Sequence, residues 1–291
     1  MIDLFFSLLN FRFVGLFHRA IMLSGSALSP WAVASDAMNH GRTISNALGC
    51  SAETSSISNI KKITVAANIL ECLRNKSVEQ LLSVQLRTPA HLTSFGPIVD
   101  GIVVPSDPKI FMTKPNSIFS NYPLLFGITK AEAYDQFTTY DERHGIDISR
   151  RDRLLRTLVR NLFQYHLQEI LATIVNEYTD WGRPFFHPIS LFDSLVDIFS
   201  DALIVAPTIQ AGLLHAKQSR ETYFYTFEHQ TENGDYPGRL GCVHGQDLAY
   251  LFGAPLINSH KLSWFSTDYS RQEAGISQNF IHYIANFVKF G

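Results

Sequence analysis

The sequence predicts an α/β fold built on a parallel sheet, and three apolar runs carry that prediction. Residues 19–25 (RAIMLSG), 122–129 (YPLLFGIT) and 222–229 (TYFYTFEH) are nearly continuous in apolar, aromatic or β-branched residues. Such runs are typical of strands that are buried on both faces of a sheet. Helical patterns separate the runs, so the order is strand, helices, strand, helices, strand, helix. That alternation indicates a parallel α/β sheet.

Four helices are expected from apolar periodicity and helix-end signals. Ser149 and Asp152 form a capping-box pattern at the start of a long amphipathic helix, and Pro207 should interrupt or kink another helix. The predicted helices cover residues 36–48, 149–178, 199–216 and 270–290. They supply the layers that a parallel sheet needs on its faces.

The composition is that of an ordinary globular protein. The 291 residues are 46% hydrophobic with 22 Phe, which is enough for a sizeable core, and the net charge is −2. That charge gives no basic footprint for nucleic acid, and the arginines between 150 and 160 are interpreted as a solvated helix face. No run reaches the roughly 18 apolar residues that a membrane span needs. Residues 1–17 lack the basic leader and cleavage site of a signal peptide.

The chain has three cysteines, and none has the spacing of metal ligands. The segment between Cys50 and Cys72 begins Ser-rich and is predicted to be an exposed loop. From the residues alone, this pair is either a disulfide, which would add about 3 kcal/mol of stability, or two unrelated thiols. Cys242 has no evident partner. Asn75 opens a glycosylation sequon, Asn-Lys-Ser.

Two side chains follow the second and third predicted strands and are candidates for chemistry. Glu132 comes just beyond the run 122–129, and His244 lies in a Gly-flanked loop after the run 222–229. A loop His is usually structural, but it can transfer protons near neutral pH when a rigid sheet positions it. In α/β-hydrolases the acid and the His follow a nucleophile in this order, and the acid holds the imidazole in the working tautomer.

A nucleophile for this pair is not evident. The sequence contains no G-x-S-x-G elbow, and Ser24 and Ser26 in LSGSA lack that glycine spacing. A base without a nucleophile performs no acyl transfer. This chain is therefore not expected to run the serine mechanism.

Nine ordered motifs resemble the C-terminal half of the type-B carboxylesterase and cholinesterase family. They are GLFHRAIMLSGSA, ECLRNKS, SFGPIVDG, GITKAEAYDQF, NEYTDW, SDALIVAP, TYFYTFEH, GCVHGQDLAYLFGAPL and NFVKFG. Within that family, TKAEAYDQF, IVNEYTDW and GDYPGRLGCVHGQDL are most similar to neuroligins of the invertebrate type. The resemblance implies an incomplete α/β-hydrolase fold over residues 15–291, preceded by an atypical segment 1–14. It also implies a fragment or a truncated gene model.

The resemblance also implies roles for individual residues. Glu132 and His244 match the acid and the histidine of the family triad and are expected to be inactive. Cys50 and Cys72 match a pair that closes a small loop by a disulfide, and Asn75 is the expected glycosylation site.

A cell-adhesion role at synapses is what the resemblance implies for the protein as a whole. The expected partner is neurexin, bound through a calcium-bridged contact near Lys130, Glu132, Tyr134 and Asp135. The longer protein would be a homodimer at the cell surface with a single membrane span, and the helix over residues 153–178 would contribute to the dimer. No cofactor is expected. The alternative is a carboxylesterase whose nucleophile lies in a missing half.

Overall fold

The computed structural model describes residues 15–34, 36–51, 59–115, 117–182, 187–218, 221–257 and 268–291. The segment 1–14, which we expect to be atypical, lies outside the described residues. Within them, three strands form one parallel sheet in the order β1 (Ala20–Leu23), β2 (Leu124–Thr129) and β3 (Thr222–Phe227). The three apolar runs therefore form the three predicted strands.

Burial differs between the three strands. Every residue of the central strand β2 is buried, whereas β1 alternates between buried and half-buried residues. The expectation that the third run is buried is wrong for most of β3, where Tyr223 and Phe224 are exposed. β3 is an outer strand of the described sheet, so it lacks the neighbour that β2 has on each side.

Helices connect and cover the strands. In chain order they are α1 (Ala37–Ala47), α2 (Asn59–Arg74), α3 (Val78–Leu82), α4 (Pro108–Thr113), α5 (Thr139–His144), α6 (Ile148–Leu162), α7 (Leu167–Glu177), α8 (Pro188–Ser200), α9 (Ala206–Ala216), α10 (Asp247–Leu251) and α11 (Arg271–Phe290). Short 3₁₀ turns lie at Ile118–Asn121, Tyr134–Gln136, Gly238–Leu240 and Ala254–Leu256.

The long helix predicted from Ser149 to Tyr178 is wrong as a single element. It is two helices, α6 and α7, with a break at residues 163–166 where His166 takes a left-handed φ of 57°. The predicted capping box is wrong as well. Asp147 caps α6, its carboxylate accepting the Arg150 backbone N–H at 2.8 Å, and Ser149 lies inside the helix.

The helix around Pro207 begins earlier than expected, at the start of α8, and passes through a π-helical turn at Asp201–Val205 into α9. Proline has no N–H, so the carbonyl of Leu203 loses its i+4 donor within the helix. The indole Nε1–H of Trp31 donates to that carbonyl at 3.1 Å. The interruption thereby ties the loop after β1 to the helical layer.

The predicted exposed loop between Cys50 and Cys72 is wrong for the second half of that segment. Residues 52–58 lie outside the described ranges, and the second half of the segment is the helix α2. The structure joins Cys50 and Cys72 in a disulfide, with the Cα atoms 5.7 Å apart. The bridge attaches α2 to the end of α1.

Three apolar clusters form the core of the part of the chain that the structure describes. One lies under β1 and β2 and includes Met112 and Phe119, a second lies among α6, α8 and the π turn, and a third lies between β3, α10 and α11. Gly212 of α9 allows that helix to pack close to the sheet, because a Cβ there would lie 1.9 Å from the ring of Phe126. The absence of a side chain at this position therefore sets the distance between helix and sheet.

Candidate functional site

The candidate site lies where the chain leaves β2 and β3. Beyond the strands, Ala131 and Val243 form one more parallel bridge. The Ala131 N–H donates to the Cys242 carbonyl at 2.9 Å, and the His244 N–H donates to the Ala131 carbonyl at 3.2 Å. These bonds hold the two loops side by side, so Glu132 and His244 are brought together across 112 residues of sequence.

Glu132 is buried, with 1% of its surface exposed, and its carboxylate accepts three hydrogen bonds. Oε1 accepts from the Thr129 N–H at 2.6 Å and from the Ser24 hydroxyl at 2.7 Å. Oε2 accepts from Nδ1 of His244 at 2.5 Å. Such a set of donors satisfies a buried carboxylate that would otherwise be costly to desolvate.

His244 is held in the tautomer that carries its proton on Nδ1. The hydrogen bond to Glu132 raises the pKa of the imidazole, burial opposes that shift, and the charges of Glu132, Asp135 and Asp247 add to the increase. Nε2 receives no hydrogen bond from any residue in the described ranges, and 41% of the side chain is exposed. The ring is therefore oriented as a general base would be.

The two serines of LSGSA face other groups. Ser24 directly follows β1 with a left-handed φ of 52°, and its hydroxyl donates to Glu132 rather than to His244. The Ser26 hydroxyl accepts the Leu28 N–H at 3.2 Å, while the Ser26 N–H donates to Ser29. Neither hydroxyl is placed as a nucleophile for His244, in agreement with the missing glycine pattern.

An open cavity of about 720 Å³ lies in front of the pair. Its lining includes Trp31, His91, Asp135 and His244. Trp31 and His91 are not predicted from the sequence, because they come from loops far from either strand. The cavity is large enough for a small organic molecule.

Behind the pair lies a buried group that sequence reasoning misses. Asp247, 2% exposed, opens α10, and burial together with the charge of Glu132 raises the pKa of its carboxyl. Cys242 is a buried free thiol whose pKa burial also raises. The sequence does show a carboxylate three residues after His244. Its burial could not be predicted, because it depends on the packing of Tyr225 from β3.

The residues expected at a partner surface have different environments. Lys130 and Asp135 are exposed, whereas Glu132 lies beneath them and is out of reach of a partner. The Tyr134 hydroxyl donates to Glu142, and its ring packs edge-on against that of Tyr236. Only Lys130 and Asp135 among the four are therefore exposed to solvent.

Two further features of the described residues bear on function. Asn75 is exposed just after α2, and its glycosylation stays a prediction. No group of three or more His, Cys, Asp or Glu side chains in the described part of the chain is arranged to hold a metal ion.

The site has the geometry of an acid and a histidine that follow successive parallel strands. Residues 5–291 match the Carboxylesterase family. The chain belongs to that family. This membership confirms the α/β-hydrolase fold, of which the described parallel sheet is a part. The matched range begins at residue 5, within the segment 1–14.

The chain is similar to several neuroligins. The chain is 33% identical over 287 residues to Neuroligin-1 of Caenorhabditis elegans. This alignment covers 95% of the chain and 36% of the relative. It is 30% identical over 280 residues to Neuroligin-3 of Mus musculus and 31% identical over 280 residues to Neuroligin-2 of Homo sapiens. Each of these two alignments covers 95% of the chain and 32% of the relative.

The chain thus spans about a third of the length of the relatives it matches. None of the helices in the described ranges is both long enough and apolar enough to cross a membrane.

Proposed function

We propose that this chain is part of a neuroligin-like cell-adhesion protein whose esterase-like site is not catalytic. The observation that carries the proposal is the state of the site. Glu132 and His244 are paired, but no Ser, Thr or Cys side chain from the described residues hydrogen-bonds to the histidine. The similarity to neuroligins over 95% of the chain supports the same interpretation.

The proposed role of the pair is structural. Glu132 joins three segments of chain, because its donors are Ser24 at the end of β1, Thr129 at the end of β2 and His244 after β3. A buried carboxylate with both oxygens hydrogen-bonded stiffens the loops that it connects. The loop that carries Lys130 and Asp135 is one of these loops.

The proposed partner is a neurexin-like cell-surface protein, with calcium at the contact. Asp135 supplies an exposed carboxylate, which is the kind of hard oxygen ligand that Ca²⁺ prefers, and Lys130 lies on the same loop. Tyr134 fixes that loop from below through Glu142 and Tyr236. The partner would supply the remaining calcium ligands.

A binding measurement with matched variants tests this proposal. A neurexin ectodomain is immobilised, and the chain is passed over it with calcium and then with a chelator. Binding should require calcium and should weaken at least about tenfold in the double variant Lys130→Ala, Asp135→Ala. The control variant Glu71→Ala, Lys114→Ala removes one exposed charge of each sign elsewhere and should bind as the parent does. Equal binding by both variants would contradict the proposed surface.

A second candidate function is carboxylester hydrolysis, and one observation favours it. Nδ1 of His244 is fixed by Glu132 and its pKa is raised, which is the arrangement that a serine hydrolase uses. A nucleophile supplied from outside the described residues would then complete the site. Turnover of a short-chain aryl ester, lost in His244→Ala, separates this candidate from adhesion.

The longer protein is proposed to be a homodimer at the synaptic cell surface with a single membrane span. Within the expected region 153–178, α7 is the proposed contribution to the dimer. Its inner residues Leu171, Ile174 and Val175 pack on the core, so its polar outer face would meet the second copy.

A further inference from the structure

The arginine cluster at 150–160 is not a uniform solvated face. Arg150 pairs with Asp141 at 2.9 Å, and Arg151 pairs with Asp152 at 2.8 Å. Arg153, Arg156 and Arg160 are exposed and make no ion pair within the described residues. Two of the five charges are therefore neutralised locally and three are not.

The three free arginines share one face of α6. Their spacing of three and four residues keeps them within about 60° around the helix and within about 10 Å along it. They line one side of an open groove of about 700 Å³ between α6 and α7. No carboxylate lines that groove among the described residues, so its positive charge is uncompensated.

The floor of the groove is apolar. The half-buried Leu167 and Leu171 line it above the buried Val159, and Thr157 and Gln168 add two polar groups that can form hydrogen bonds. A sulfated polysaccharide or a lipid headgroup would use the arginines and leave this floor without a partner. A groove between two helices with an apolar floor fits the apolar face of a third helix.

We infer that this groove, defined by Arg153, Arg156, Arg160, Val159 and Leu171, docks an acidic amphipathic helix of a protein partner. Glutamates of that helix at intervals of three and four residues would face the guanidinium groups, which bind carboxylates in a two-pronged geometry. Leucines on the same face would cover the floor. The site lies on α6 and α7, apart from the loop of Lys130 and Asp135, so the inference stands independently of the proposed adhesion surface.

The test uses the whole chain and three labelled helical peptides, with binding followed by fluorescence anisotropy. The first peptide carries Glu at the complementary spacing with Leu between, the second has Lys in place of Glu, and the third has Ser in place of Leu. The chain should bind the first peptide, bind the second not at all and bind the third at least about tenfold more weakly. Binding to the first peptide should weaken as salt is added.

Charge reversal on the protein supplies the decisive control. The triple variant Arg153→Glu, Arg156→Glu, Arg160→Glu should bind the acidic peptide at least about tenfold more weakly than the parent does. It should also bind the lysine peptide, which the parent does not bind. The variant Arg74→Glu, Arg87→Glu, Arg271→Glu changes the same charge at scattered exposed positions and should keep the parent's preference.

Four results would overturn the inference. The first three are failure of the acidic peptide to bind, equal loss of binding in the scattered variant, and binding of heparin or anionic vesicles without binding of the peptide. A change in oligomeric state of the triple variant alone, measured by light scattering, would assign the groove to a second copy of the chain and would equally overturn it.

Discussion

Replacing Glu132 by Gln tests the network at the centre of the site. The side chain keeps its shape, but it loses its charge and exchanges one acceptor oxygen for an N–H₂ group. If the amide oxygen keeps Thr129 and Ser24, the N–H₂ group faces Nδ1 of His244, and the imidazole must move its proton to Nε2. The variant is therefore expected to switch the tautomer and to lower the pKa of His244.

The effect on stability follows from the lost carboxylate charge and depends on pH. Three hydrogen bonds to a buried charged group become neutral ones, which should cost about 1–3 kcal/mol of unfolding free energy. The folded-state pKa of His244 is raised, so its contribution to stability is fully present below the unfolded pKa of about 6.5 and is lost as pH rises through the folded pKa. The variant should thus be more destabilised at mildly acidic pH than at alkaline pH.

Two measurements check this prediction. Urea unfolding of parent and variant at mildly acidic and at alkaline pH gives the difference in their unfolding free energies. Nitrogen NMR of the histidine rings reports the tautomer and the pKa of His244. Asp135→Asn is the matched control, since it removes a nearby charge that lacks a contact to the ring and should lower the pKa of His244 less. An unchanged tautomer and pKa in Glu132→Gln would refute the reasoning.

Three further changes test the packing, the pH dependence and the disulfide. Gly212→Ala forces a methyl group into the ring of Phe126 and should destabilise the chain by about 1–3 kcal/mol in urea unfolding. Burial lowers the pKa of His215, so its contribution to stability should be lost as pH falls below the ordinary histidine value, and His215→Gln should flatten that part of the stability curve. Replacing Cys50 and Cys72 by Ser opens a loop with a sequence separation of 22 residues and should lower the unfolding free energy by about 3 kcal/mol.

Each of these changes has a control within the chain. Gly41→Ala, in α1 where a Cβ meets nothing within 4 Å, should stabilise by up to about 1 kcal/mol, so destabilisation there would contradict the packing argument. His144→Gln replaces an exposed histidine and should leave the low-pH part of the stability curve unchanged. Reducing the disulfide of the parent should lower its unfolding free energy as much as the Ser variant does. If the Ser variant is destabilised but the reduced parent is not, the disulfide assignment is contradicted.

The sequence was sufficient for the sheet and for the pairing of the site. Apolar runs mark the three strands, because a parallel strand covered on both faces has few polar positions. Glu132 and His244 come together because the carboxyl ends of parallel strands lie at one edge of the sheet. These inferences use only local pattern and the geometry of parallel sheets.

Other features depend on contacts that no local pattern contains. The break between α6 and α7 is invisible because apolar periodicity continues across it, and the left-handed His166 is not marked by residue type. The donor role of Ser24 depends on a residue 108 positions away. The exposure of β3 depends on what lies beside it in the sheet, whereas its sequence is typical of a buried strand.

The central claim is that Glu132 and His244 form a structural pair rather than a working one. The most direct test is the rate at which the purified chain hydrolyses a short-chain aryl ester, measured beside His244→Ala and a buffer blank. We expect the chain and the variant to match the blank, because a fixed imidazole without a nucleophile performs no acyl transfer. Turnover by the chain that disappears in His244→Ala would contradict the claim and would assign the site to ester hydrolysis.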